Sequence, residues 1–358
     1  MASVSDTRGR ALRDLRISVT DRCNMRCGYC MPREVFGEDF VFMERSELLS
    51  FEEIARIARI AAHLGVRKLR LTGGEPLLRR GLDRLVAMLA QIEGIEDIAL
   101  TTNGVALASR ATALADAGLA RATVSLDALE QPLFQQITDS RLALARVLEG
   151  IDAAHDAGLA PVKVNMVVRR GLNDHQLIAM AEHFRGRPQV LRFIEYMDVG
   201  ESNGWRAEEV VPAAEILARI AARWPLQALA PTVAGEVASR FAYHDGAGEI
   251  GVIASVTSPF CGGCTRARLS ADGQLYTCLF ARSGHDLRAL LRGGADDAEI
   301  TAALGALWGA RGDRYSELRA SASARALKRR QAGSARAAAT PASRPRAGGR
   351  VEMSYIGG

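Results

Sequence analysis

Six short β-rich runs separated by amphipathic stretches constrain this chain more than any other feature. They are "LRISV" (15–19), "KLRLT" (68–72), "DIALT" (97–101), "ATVSL" (122–126), "VKVNMVV" (162–168) and "VLRFIEY" (190–196). Between them, Phe51, Ile54, Ile57, Ala61 and Leu64 fall on one helical face, and Leu82, Leu85, Val86 and Leu89 fall on another. Strands alternating with helices at roughly 30-residue spacing predict βαβ units and a parallel sheet. Six units are too few to close an eight-stranded barrel, so an open barrel and a doubly wound sheet both fit.

The unusual residues fall at the ends of these runs. A cysteine loop, "DRCNMRCGYC", follows the first, "GGEP" (73–76) the second and "TNG" (102–104) the third. Ser125 and Asp127 end the fourth, Lys163 and Asn165 sit in the fifth, and Met197 follows the sixth. In barrel-like α/β folds the loops at the C-terminal strand ends share one mouth, which is where function gathers.

The pattern changes after about residue 230. "VASRFAYH" (237–244) and "EIGVIASV" (249–256) read as antiparallel strands, and Asp272-Gly273 as a hairpin turn that brings Cys278 back toward Cys261 and Cys264. Residues 286–309 read as helical. From about Ala320 to Gly349 the chain is Ala, Arg, Ser and Pro without apolar periodicity, which predicts a flexible basic linker before the tail "VEMSYIGG". The expected division is 1–230, 231–319, and a linker with tail over 320–358.

The chain has 358 residues, 48% of them apolar and 24% charged, and a net charge of +5. It contains no run of the roughly 18 apolar residues that a membrane helix needs, and its start lacks a secretory signal. A cytoplasmic location follows, where clustered cysteines bind metal more often than they pair. The positive charge fits an anionic ligand or a solvated basic surface equally well. The six histidines share no spacing and receive no role.

Six cysteines form two trios: Cys23, Cys27 and Cys30, then Cys261, Cys264 and Cys278. Structural zinc takes four ligands, and catalytic zinc usually three of mixed type; neither trio holds a histidine or a nearby fourth cysteine. An iron–sulfur cube held by three thiolates instead leaves one iron open to an outside ligand.

The C-x₃-C-x₂-C loop with "GGEP" after the next strand resembles the radical S-adenosylmethionine (radical SAM) superfamily. That resemblance implies a [4Fe–4S] cluster on Cys23, Cys27 and Cys30, whose open iron binds S-adenosylmethionine and generates a 5′-deoxyadenosyl radical. It assigns cofactor contacts to Tyr29, Gly74, Ser125 and Met197. The second trio, with "TRARLS" inside it and Gly357-Gly358 at the end, looks like the GTP 3′,8-cyclase family of molybdenum cofactor biosynthesis, from about Leu15 to Leu318 and again from Met353. The family implies an incomplete, open TIM-like βα barrel and a smaller C-terminal α+β domain carrying a second [4Fe–4S] cluster.

In that family the second cluster binds the guanine of GTP. The radical removes the ribose 3′ hydrogen, and the product is (8S)-3′,8-cyclo-7,8-dihydroguanosine 5′-triphosphate, a lyase reaction. Arg16, Arg70, Lys163, Arg266 and Arg268 match GTP-contacting positions, as does Thr101 or its neighbour Thr102. Arginine suits forked phosphate contacts, and Arg266 and Arg268 alternate along one strand so that both face one side. The family's diglycine tail enters the substrate cavity, although the linker here is longer than expected. The resemblance further implies a homodimer, an electron donor such as flavodoxin or ferredoxin, and a downstream cyclic pyranopterin monophosphate synthase, with no membrane or nucleic acid. Two alternatives are a radical SAM peptide or protein maturase with an auxiliary cluster, and a zinc-binding nucleic-acid module.

Overall fold

The structure is a computed structural model, described over residues 4–233, 235–319 and 350–357. Each of the six β-rich runs forms a strand: β1 (Asp14–Ser18), β2 (Lys68–Thr72), β3 (Asp97–Thr102), β4 (Arg121–Ser125), β5 (Lys163–Val168) and β6 (Val190–Glu195). Six more follow: β7 (Leu226–Leu229), β8 (Ser239–Tyr243), β9 (Glu249–Ile253), β10 (Arg266–Leu269), β11 (Gln274–Tyr276) and β12 (His285–Asp286). They form one sheet in the order β12-β11-β10-β1-β2-β3-β4-β5-β6-β9-β8-β7.

Strands β1 to β6 lie side by side in chain order, all parallel. That order winds in one direction, as in a barrel, and lacks the reversal of a doubly wound sheet. The sheet does not close: antiparallel partners follow on both sides, β11 and β12 beyond β10, β8 and β7 beyond β9. It is an open TIM-like barrel. The C-terminal strands do more than the hairpins the sequence predicts, since β10 also pairs parallel with β1, and β9 parallel with β6. The chain crosses between these two ends of the parallel run through residues 254–265, the stretch that carries Cys261 and Cys264.

The two faces of the parallel strands differ in chemistry. Leu15, Ile17, Leu69, Leu71, Leu100, Val124, Val164, Met166, Leu191 and Phe193 are buried in the core. The alternate positions Arg16, Arg70, Thr101, Thr123, Lys163, Asn165 and Arg192 occupy the other face, a polar lumen. Helix α1 (Phe51–His63) begins at a capping box of Ser50 and Glu53 and buries Ile54, Ile57 and Ile60. Helix α2 (Leu82–Ala90) buries Leu82, Leu85, Val86 and Leu89, the predicted stripe. Each such side chain contributes about 1.5–3 kcal/mol on burial, so the helix layer anchors the sheet and frees its other face for polar groups. The helical stretch expected over 286–309 is two helices, Leu287–Arg292 and Asp297–Gly309, parted by Gly293-Gly294, with φ +87° at Gly294. The expected linker, 320–349, lies outside the described residues.

Candidate functional site

The loops after β1 to β4 lock to one another around the first cysteine trio. Gly74 N–H donates to the Thr20 carbonyl (2.8 Å) and Glu75 N–H to the Arg22 carbonyl (2.7 Å), joining the second loop to the first. A Cβ built on Gly74 would stand 2.3 Å from the Arg22 oxygen, so only glycine permits this approach. The Glu75 carboxylate, fully buried, accepts from the Thr102 hydroxyl (2.7 Å) and from Asn103 N–H (2.7 Å), tying in the third loop. Asn103 Nδ2 reaches Asn24 (2.7 Å), closing the ring. Tyr29 donates its hydroxyl to Asp127 (2.8 Å), whose other oxygen accepts from Val167 N–H (2.8 Å). Burial raises both Glu75 and Asp127 to about 6, against the hydrogen bonds that favour their charged forms.

Within the trio, Cys30 N–H donates to the Cys27 carbonyl (2.9 Å), and Met25 N–H approaches the Cys23 sulfur (3.5 Å). Arg26 holds the Cys23 carbonyl (2.8 Å) and the Phe36 carbonyl (2.7 Å), so the loop is fixed from outside as well. Burial raises all three thiols, Cys23 to about 11, and the sulfurs repel one another when charged. Three half-buried thiols raised in this way stay protonated on their own; a metal centre is the chemistry that deprotonates such a set. Three soft donors beside a glycine-lined backbone cradle fit an iron–sulfur cluster with an organic ligand at Gly74. Among the described residues, no three His, Cys, Asp or Glu side chains gather around a single-ion position.

The lumen beyond is cationic. Arg16 stands in register with Arg70 on one side and Arg268 on the other. Burial holds Arg16 well below its ordinary value, and Arg268, Arg70 and Arg266 press in the same direction. Arg70 donates to the hydroxyls of Thr101 (3.1 Å) and Thr123 (3.2 Å), so Thr101 faces the lumen while Thr102 serves Glu75. Lys163 is lowered to about 8 by burial and then by Arg192 and other cations. Like charges gathered at this density create a site whose missing partner is an anion. Arg192, lowered to about 9 chiefly by burial, belongs to this set and donates to Asn165 (2.9 Å). The sequence reading missed it, although Arg192 is in phase with Asn165 across β5 and β6.

The second trio flanks β10 and β11, with Cys261 and Cys264 just before β10, Cys278 just after β11, and Arg266 and Arg268 on β10 itself. Burial pushes Cys264 up, but the cations of Arg266 and Arg311 outweigh it and hold the thiol below its ordinary value. Cys278 is pushed to about 11 by burial. The donor set is again three thiols without histidine, the chemistry of an iron–sulfur site. The tail returns to this place: the Arg268 guanidinium donates to the Gly357 carbonyl, and a Cβ on Gly357 would stand 2.2 Å from Thr72 Cγ2. Glu352 accepts from the backbone of Glu201 (3.0 Å) and Ser202 (3.1 Å), and Arg350 from the same segment pairs with Asp198 (2.8 Å). Gly358 lies outside the described residues. Ser125 ends β4 in register with Asn165, and the Met197 carbonyl accepts from Asn203 (3.2 Å) just past β6.

The sequence matches the Radical SAM superfamily model over residues 17–184 and the Molybdenum Cofactor Synthesis C model over 189–317. It is 58% identical over 360 residues to the GTP 3′,8-cyclase of Acidothermus cellulolyticus, covering 99% of each chain. It is 51% identical over 357 residues to that of Xanthomonas axonopodis pv. citri (100% of this chain, 99% of the relative). It is also 48% identical over 356 residues to the GTP 3′,8-cyclase of Staphylococcus aureus, covering 99% of each chain. Identity of this degree over nearly the whole length of both chains places this chain in the GTP 3′,8-cyclase family of the radical SAM superfamily.

Proposed function

We propose that this chain converts GTP to (8S)-3′,8-cyclo-7,8-dihydroguanosine 5′-triphosphate, the entry step of molybdenum cofactor biosynthesis, as a lyase. The observation that carries the reading is the cationic lumen built by Arg16, Arg70, Lys163, Arg192 and Arg268. Cys23, Cys27 and Cys30 would hold one [4Fe–4S] cluster; Cys261, Cys264 and Cys278 would hold a second, open to the guanine. When bound, the first cluster and S-adenosylmethionine would supply the radical chemistry that takes the ribose 3′ hydrogen.

Everything else falls to the protein's own groups. Gly74 offers backbone to the methionyl end of the cofactor, with Tyr29, Ser125 and Met197 as further contacts. Arg16, Arg70, Thr101, Lys163, Arg266 and Arg268 bind the triphosphate and ribose, and Arg192 joins them from the same face. Forked guanidiniums from separate strands fix the nucleotide's orientation, which brings one ribose hydrogen to the radical and leaves the others out of reach. Gly357, at Arg268, extends that cavity wall.

The same reading includes a cytoplasmic homodimer of chains divided into 1–230, 231–319 and 320–358, reduced by a flavodoxin- or ferredoxin-like donor and followed by a cyclic pyranopterin monophosphate synthase. Among the described residues no helix is long and apolar enough to cross a membrane. Anaerobic reconstitution followed by S-adenosylmethionine, dithionite and GTP tests the proposal. Mass spectrometry should find an isomer of GTP together with 5′-deoxyadenosine. Release of 5′-deoxyadenosine with GTP unchanged would favour a maturase.

A further inference from the structure

A buried ionic group joins the segment before β1 to the segment after the helix Asp297–Gly309. Asp6, Arg10 and Arg311 have side chains 0%, 3% and 2% exposed. One Asp6 oxygen accepts from Arg10 Nε (2.6 Å) and Arg311 Nη1 (3.2 Å); the other accepts from the backbone N–H of Arg8 and Arg10, both at 2.9 Å. Other guanidinium bonds run to backbone carbonyls, and Arg311 Nε also lies 3.4 Å from the Asp313 carboxylate. Arg10 Nη1 donates to Cys261 (2.8 Å) and Asp313 (2.7 Å). Arg311 donates through Nη1 to Cys264 (2.8 Å) and through Nε to Thr277 (3.0 Å), the residue before Cys278. Every cysteine of the second trio thus has a guanidinium bond on its own carbonyl or on the one just before it.

Burying two guanidiniums costs several kcal/mol per ion, and well-packed apolar residues commonly stabilise a fold as well or better. Stability alone is therefore a weak account of the group. Arg10 Nη2, on the guanidinium that holds the Cys261 carbonyl, is also buried and has no partner among the described residues. A cluster sulfide or ligated thiolate is an acceptor of the right kind.

We propose that Asp6, Arg10 and Arg311 are positioning residues for the second cysteine trio, holding its three thiols at the spacing that one iron–sulfur cluster requires. The proposal rests on the reading that this trio binds a cluster. Lysine cannot substitute: one nitrogen cannot span the three acceptors that Arg311 reaches with a planar fork.

The test uses the full chain carrying Cys23→Ser, Cys27→Ser and Cys30→Ser, in which only the second trio can hold iron. After anaerobic reconstitution, iron and sulfide assays should each read about four per chain, and the EPR signal of the reduced protein should change on adding GTP. Partners that orient metal ligands are worth about 10–100-fold in metal affinity. Arg311→Lys in that background is therefore expected to retain less than about half the iron and to lose the GTP-induced change. In the six-cysteine protein, Arg311→Lys should still cleave S-adenosylmethionine to 5′-deoxyadenosine at the parent's rate. Iron content and GTP response equal to the parent's would overturn the proposal. So would loss of S-adenosylmethionine cleavage, because the group would then be a general element of the fold. If Arg311→Lys does not fold, Asp6→Asn is decided by the same readouts. A parent protein that takes up no iron refutes the underlying cluster reading, a result distinct from failure of the positioning role.

Discussion

The first cysteine trio is braced by neighbours in the folding pattern, the loops that follow β2, β3 and β4, each donating or accepting across the shared mouth. The second trio is braced by side chains from the far ends of the described core, Arg10 and Arg311, separated by 251 residues from Cys261 and 47 from Cys264 respectively. A parallel βα architecture delivers the first kind of support without further design, because every strand end opens on the same mouth. The second trio, on a crossover loop and an antiparallel hairpin, has no such mouth and is fixed by buried charge.

The largest effect that separates the two trios comes from the cysteines. Cys27→Ser is expected to reduce 5′-deoxyadenosine formation to background, whereas Cys264→Ser should abolish product from GTP and leave cleavage of S-adenosylmethionine in place. Chromatography of both products reads this directly; equal loss of both in Cys264→Ser would erase the distinction.

Next is Gly74→Ala. Its Cβ would meet the Arg22 carbonyl at 2.3 Å, so the second loop must retreat from the first. A displacement of this size costs about 100-fold in turnover, and measured cleavage of S-adenosylmethionine within a few-fold of the parent's would show that the cradle is not needed.

Smaller effects belong to the cationic lumen. Arg192→Ala should raise the KM for GTP by about tenfold, the loss of one charge-assisted contact worth about 1.4 kcal/mol, without changing S-adenosylmethionine cleavage in the absence of GTP. The smallest expected effect is a pH dependence. Burial and neighbouring cations lower Lys163 from 10.5 to about 8, so its charge is present below that pH and is lost as pH rises through it. GTP binding should therefore weaken above about pH 8, and Lys163→Arg should carry tight binding to higher pH. Calorimetric titration from pH 7 to 10 reads the difference, about one proton taken up per GTP at the alkaline end.

Much of the site was legible before folding. The family resemblance assigned Arg16 and Arg70 to one site, and in the sheet they are cross-strand neighbours on β1 and β2. Arg192 is in register with Asn165 but escaped notice, since a single arginine in an arginine-rich chain has no local signature. The quoted "GGEP" and "TNG" stretches contain Glu75 and Asn103, yet nothing in either run shows that one carboxylate would bind the backbone of the other loop. Asp6, Arg10 and Arg311 left no trace at all, because their partners are main-chain carbonyls, which every residue carries alike.

By itself the sequence determined the six strands, the two helical stripes and both cysteine spacings, because each depends on periodicity within one segment. Only the tertiary structure decided that β9 and β10 would add to opposite ends of the parallel run, and that the stretch joining them would carry part of the second trio. Tertiary structure also brought Gly357 to Arg268 and paired Asp6 with Arg311. These contacts join segments 89 and 305 residues apart, and their free energy comes from desolvation and charge in an interior that does not exist until the sheet has assembled.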